Sequence, residues 1–156
     1  MVEFPESGLV RKTFIVKQMD LPPSVLLTRR SLLRWFALSF GLVSEKESRD
    51  TVLNVLDALF VFLGKGQSPS TLDIQVYIGN KYHKKISEKL LRYHLNRLIL
   101  LELLKRKQNR YFLNNSPSSE QGNIAESFNH WVKKPVNESL DSIASVLEKL
   151  SQSYKK

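Results

Sequence analysis

Residues 86–113 read ISEKLLRYHLNRLILLELLKRKQNRYFL, and this stretch decides the fold. Leu91, Leu95 and Leu98 recur at steps of four and three, the spacing of one buried helical face, and Ser87 stands where an N-cap belongs. A helix over Glu88 to about Leu100 follows. Two short apolar-and-basic runs then flank Gln108-Asn109, the pattern of a β-hairpin whose asparagine accepts the positive φ of a tight turn. The spacing predicts strands over Leu103–Lys107 and Arg110–Leu113.

Charge singles out the same region. The 156 residues carry 24 Lys+Arg against 15 Asp+Glu, a net charge of +9. Residues 81–110 hold ten of those cations (Lys81, Lys84, Lys85, Lys89, Arg92, Arg97, Lys105, Arg106, Lys107 and Arg110) opposed only by Glu88 and Glu102. Such a cluster repels itself, and a polyanion relieves the repulsion through phosphate contacts and counterion release. A solvated basic face is the competing reading.

Upstream, residues 9–19 are strand-like around Thr13-Phe-Ile-Val16, and Pro22-Pro23 interrupts the chain. A mostly buried helix is expected from Ser24 to about Gly41, with Leu26, Leu33, Phe36 and Phe40 inward and Leu32 and Trp35 beside them. Ser44 and Glu47 have capping-box spacing and predict a second helix to about Leu63, ended by Gly64-Lys-Gly66. A third is expected from Ser70, with Asp73 three residues on, Leu72, Val76 and Tyr77 inward, and Gly79-Asn80 as its close. Lys84 and Lys85 lie in the basic turn that follows.

Downstream, Ser116-Pro-Ser-Ser119 reads as a linker before the helical pattern of Ile124, Phe128, Trp131 and Val132, which Pro135 must kink or break. Val136, Leu140, Ile143, Leu147, Leu150 and Tyr154 then form a heptad seam of about two and a half repeats. The expected organisation is an N-terminal strand-like segment and helix over 1–43, a central domain over 44–115, and a C-terminal helical dimerisation segment over 120–156.

Helix, capped helix, basic turn, helix and basic hairpin are the order of a winged helix-turn-helix. The sequence Ser70-Thr-Leu-Asp-Ile-Gln75, the run Ile86 to Leu98 and the hairpin Leu104 to Leu113 together resemble the winged-helix transcription regulators of bacteria and archaea. Their recognition helix often reads as a serine followed by a run ending x-H-L-x-x-L. The resemblance spans about residues 50–114. It departs at one point: many such regulators carry a glycine between recognition helix and wing, where Leu100-Leu-Glu-Leu103 runs on here. Either the helix extends or the corner differs.

The resemblance implies a mainly α fold with a small β-hairpin wing, binding double-stranded DNA as a homodimer. Ser87, Lys89, Arg92, Tyr93, Asn96 and Arg97 would form the recognition surface, with Lys84 and Lys85 in the turn. Arg92 suits a guanine edge, Asn96 an adenine, Tyr93 a phosphate or a thymine methyl, and Lys89 or Arg97 a phosphate. Lys105, Arg106, Lys107, Asn109 and Arg110 would form the wing. Val136, Leu140, Ile143, Leu147 and Leu150 would pair across a two-fold axis, with folding back onto the domain as the competing arrangement. The rival function is a winged-helix module that docks on other proteins inside a larger nucleic-acid-processing assembly.

Other chemistry is excluded or thin. Without cysteine there is no disulfide, thiolate site or Cys nucleophile. His83, His94 and His130 lack carboxylates at ligand spacing, so no metal or other cofactor is expected, and His94 reads as packing. Gly64-Lys-Gly-Gln-Ser68 lacks the spacing of a phosphate loop and follows a helix where that loop needs a strand. No nucleophile, base and orienter assemble, so the chain reads as a non-enzyme. The longest apolar stretch, Leu32–Val43, is half a membrane span and carries Arg34, and the opening MVEFPESGLV is unlike a signal peptide. A cytoplasmic protein is the expectation.

Overall fold

The computed structural model describes residues 6–43, 50–119 and 121–155. Its centre is α2 (Asp50–Gly64), in which every residue from Val52 to Leu59 is buried. A helix buried on all sides needs neighbours on all sides. These are α1 (Arg29–Ser39), α3 (Thr71–Tyr82) and α4 (Glu88–Leu100), which contribute Leu33 and Ala37, Ile74 and Ile78, and Leu91, Leu95 and Leu98 to one core. An antiparallel hairpin, β1 (Leu104–Lys107) and β2 (Arg110–Leu113), closes the core with Leu104 and Tyr111. The described protein is therefore mainly helical with a small two-stranded hairpin. No helix among the described residues is long and apolar enough to cross a membrane.

Several expectations change. Leu9 lies in a turn and residues 10–22 join no strand ladder; Lys17 N–H donates to the Ser39 carbonyl at 2.8 Å, and the Trp35 indole donates to the Asp20 carbonyl at 2.8 Å. The helix expected over 24–41 divides into a 3-10 turn (Pro23–Leu27) and α1, because Thr28 is extended and caps α1 by accepting from Ser31 N–H at 3.1 Å. Leu26 consequently faces solvent rather than the core. The Ser44–Glu47 capping box lies outside the described residues.

Helix α3 starts as expected, with the Ser70–Asp73 capping box formed in both directions, at 3.1 and 3.0 Å. It does not stop at Gly79-Asn80. It runs to Tyr82 and ends on His83 at φ +55°, whose amide donates to the Gly79 carbonyl. Its inward residues are Ile74 and Ile78, while Leu72 and Val76 are exposed. The segment carries two apolar rows four residues apart, and only the position of α2 chooses between them.

The extra turn of α3 is held by a buried carboxylate. Asp57, on α2, accepts from Tyr82 Oη at 2.6 Å, Lys81 Nζ at 2.7 Å and Tyr77 Oη at 3.2 Å. Burial alone would push this carboxyl up. The hydrogen bonds from Lys81, Tyr82 and Tyr77 and the charge of Lys81 overcome that and hold it below its ordinary value. Lys81 is raised in turn, chiefly by Asp57. Arg30 ties in α1: it donates to Asn54 Oδ1 at 2.9 Å and lies over the Tyr82 ring at 5.5 Å.

The corner after α4 forms without glycine. Glu102 adopts φ +64°, and the amides of Glu102 and Leu103 return to the carbonyls of Ile99 and Leu98. The left-handed conformation costs a side-chain-bearing residue about 1 kcal/mol or more. Its partners offset this, since the Glu102 carboxylate pairs with Lys12 at 2.9 Å and its carbonyl accepts from Asn114 Nδ2 at 2.7 Å.

The linker expected at 116–119 is partly packed, with Ser116 buried. Helix α5 (Ile124–Phe128) follows, capped by Asn123, and Phe128 meets Phe40 edge-on at 5.5 Å. Pro135 does not break the helix: a π-helical turn, Asn129–Lys133, joins α5 directly to α6 (Lys134–Ser153), and Pro135 falls in the first turn of α6. Proline offers no N–H to the Trp131 carbonyl, and Lys12 Nζ approaches that carbonyl at 3.5 Å instead. Beyond Val136, α6 leaves the body. Leu140, Ile143, Leu147 and Leu150 are 57, 55, 59 and 46% exposed, so the segment does not fold back on its own domain.

Substitutions at two positions test the Asp57 cluster and the corner after α4. Asp57→Ala strands two phenols and an ammonium and should cost about 3 kcal/mol in urea unfolding at pH 7. The folded pKa of Asp57 is depressed, so its contribution is complete above the ordinary carboxylate value and is lost as pH falls through the folded one. Asp57→Asn should accordingly flatten the loss of stability below about pH 4. At the corner, Glu102→Gly should stay within about 1 kcal/mol of the parent, because relieved strain offsets the lost ion pair, whereas Glu102→Val should cost more than about 1 kcal/mol.

Candidate nucleic-acid interface

The basic residues divide by what the fold already asks of them. Ser87 caps α4, its hydroxyl accepting from Leu90 N–H at 3.2 Å. With Leu91, Leu95 and Leu98 turned inward, Lys89, Arg92, Tyr93 and Asn96 lie exposed on the outer face. Lys84 and Lys85 are exposed in the preceding turn. Arg92 Nη2 meets Glu88 Oε1 at 2.6 Å, one turn earlier on α4, and the same carboxylate oxygen accepts from Thr71 Oγ1 at 3.4 Å.

Arg97 does not belong with them. Its guanidinium turns back and donates to the Leu42 carbonyl at 2.5 Å and to the Gly41 carbonyl, just past the end of α1. Those carbonyls have left the helical ladder, and an arginine fork satisfies both. Expected on the recognition surface, Arg97 instead fastens α4 to α1. Its neighbour Tyr93 remains 59% exposed, with the Arg97 guanidinium 6.0 Å from its ring centre.

Gln108 and Asn109 both have positive φ, +53° and +63°, which is the two-residue turn that suits a twisted hairpin. The register pairs Arg106 with Tyr111 and Lys107 with Arg110. Lys105, Lys107 and Asn109 are exposed. Arg106 donates to Asn109 Oδ1 at 3.0 Å and lies 5.9 Å above the Tyr111 ring. Arg110 is tethered: it donates to the Ser68 carbonyl at 2.9 Å and stands 3.6 Å from Asp73. Tyr111 N–H donates to the Pro69 carbonyl, and Ser70 bridges Arg110, so the hairpin is tied to the start of α3. Arg110 thus positions the hairpin while keeping over half of its side chain exposed.

Tyr111 is the pivot between hairpin and α4. Burial pushes its phenol up, while the nearby charges of Arg106 and Arg92 pull it down and Glu88 opposes them. Arg106 of the hairpin lies over the buried Tyr111 ring, and the charge of Arg92 on α4 also acts on its phenol. Lys81, counted in the basic cluster by sequence, is engaged with Asp57.

Sequence reasoning missed the Asp57 cluster altogether. Its signal was present: Asn54 and Asp57 interrupt the apolar run VLNVLDALF, and a carboxylate inside a buried helix needs donors. Among the described residues no three His, Cys, Asp or Glu side chains converge to hold a metal ion. Compared with protein-family models, with curated proteins and with solved structures, the chain matches none of them.

Proposed function

We propose that residues 50–114 form a winged helix-turn-helix that binds double-stranded DNA sequence-specifically, and that the protein acts as a homodimeric regulator of transcription. One observation carries this reading. The outer face of α4, with Lys89, Arg92, Tyr93 and Asn96, and the hairpin, with Lys105, Arg106 and Lys107, all present exposed side chains beside the leucine face that α4 buries. A recognition helix and a wing require that combination.

In this mechanism Lys84, Lys85, Lys105 and Lys107 meet phosphates and set the register, while Arg92 and Asn96 reach base edges. Glu88 adds discrimination. Arg92 must leave its carboxylate to fork onto a guanine, so a site without a guanine there leaves the pair closed and brings Glu88 near the DNA uncompensated.

The first expected outcome is salt dependence. Six or so phosphate contacts should lower affinity by about 10³-fold between roughly 50 and 200 mM salt, measured by fluorescence anisotropy on duplex DNA. A flat response would favour the protein-docking module instead. The second is a division of labour among arginines. Arg92→Ala should cost about 1–3 kcal/mol and relax preference at one base position, and Arg106→Ala should weaken all sequences alike. Arg97→Ala should lower the melting temperature before it alters sequence preference, because its partners are backbone carbonyls.

A further inference from the structure

Four segments of the chain meet around Asn114, the residue that follows β2. Its N–H donates to the Leu103 carbonyl at 3.0 Å and its Nδ2 to the Glu102 carbonyl at 2.7 Å, both in the corner after α4. Its own carbonyl accepts from Ser127 Oγ of α5 at 2.8 Å and from the Trp131 indole of the π-helical turn at 2.9 Å. The N-terminal arm completes the joint: Lys12 Nζ stands 2.9 Å from the Glu102 carboxylate and 3.5 Å from the Trp131 carbonyl. Trp131 is thus held twice, through its side chain by the exit of the hairpin and through its backbone by the arm.

This double hold falls where the direction of α6 is decided. Val132 is buried and Val136 packs against the core, but apolar contact is non-directional and leaves a helix free to pivot. Hydrogen bonds are directional, and two of them on different atoms of one residue constrain rotation as well as position. The carbonyl that Lys12 approaches is the one Pro135 leaves without a helical N–H. Beyond Val136 the exposed stripe of α6 gives the helix no further anchor on the body. Its 20 residues make a lever, since a tilt of about 10° at its base moves the far end of a roughly 30 Å helix by about 5 Å, more than the ~3.4 Å step between base pairs.

We propose that Lys12, Asn114 and Trp131 are positioning residues that set the angle between α6 and the unit of α4 and hairpin, and through it the separation of half-sites that the dimer accepts. The proposal rests on the DNA-binding homodimer reading and goes beyond it by assigning the spacing to three residues outside both the candidate DNA face and the α6 seam.

The test separates angle from stability. The chain has no cysteine, so Leu100→Cys at the end of α4 and Ser145→Cys on α6, both at exposed positions, take spin labels without background. Labelled chain diluted in excess unlabelled chain reads the distance within one copy. The parent should give one narrow distance distribution. Lys12→Met with Trp131→Phe removes both attachments while keeping most of the packing, and should broaden or shift the distribution. Asp57→Asn, which weakens the core away from the joint, should leave it narrow. If the double variant does not fold, Lys12→Met alone should broaden the distribution to a smaller extent. In selection from a random duplex pool, the parent should recover paired half-sites at one spacing, and the variants the same half-sites at several spacings. A distribution already broad in the parent, one unchanged in the joint variants, or one broadened as much by Asp57→Asn would overturn the joint, as would a single spacing kept by the variants. A parent that recovers no paired half-sites would instead overturn the homodimer reading and the spacing assignment with it, whatever the label distances show.

Discussion

A carboxylate inside the core sets much of this structure. Asp57 sits on α2, against which α1, α3 and α4 all pack, and burying its charge is tolerable only because three donors reach it. All three come from α3. The need to supply them fixes the rotation of α3 against α2 and carries that helix past a glycine and an asparagine that would otherwise end it. With α3 fixed, the bridge from Ser70 to Arg110 and the bond from Tyr111 N–H to the Pro69 carbonyl fix the hairpin against the start of α3. One unfavourable burial thus specifies an arrangement that apolar packing alone would leave free to slide.

The cations show how a basic protein separates scaffold from surface. Lys81, Arg97 and Arg110 spend their donors on a buried carboxylate, on the carbonyls beyond α1 and on the loop before α3. Each works at a joint between two elements. On the outer face of α4 and along the hairpin, Arg92 pairs with Glu88 and Arg106 with Asn109, both at the surface.

The ends of the chain contrast with this economy. The N-terminal arm is held by hydrogen bonds to and from α1, by the Lys12–Glu102 ion pair and by Phe14 against the core, and α6 follows a π-helical turn. Beyond Val136 the helix keeps its apolar side chains in solvent.

By itself the sequence determined the elements whose cause is local. The Ser70 and Ser87 caps, the leucine face of α4, the asparagine turn of the hairpin and the glycine end of α2 all follow from residues within one or two turns of each other. Tertiary structure decided what depends on distant partners. Which apolar row of α3 faces inward, where α3 stops, and whether Arg97 faces solvent or backbone are set by Asp57, 20 to 25 residues away, and by Gly41 and Leu42, some 55 away. The arm at 9–22 has the composition of a strand, yet a strand forms only where another offers an edge. Side-chain chemistry names the groups that must be satisfied, and only the packed chain determines which partner reaches them.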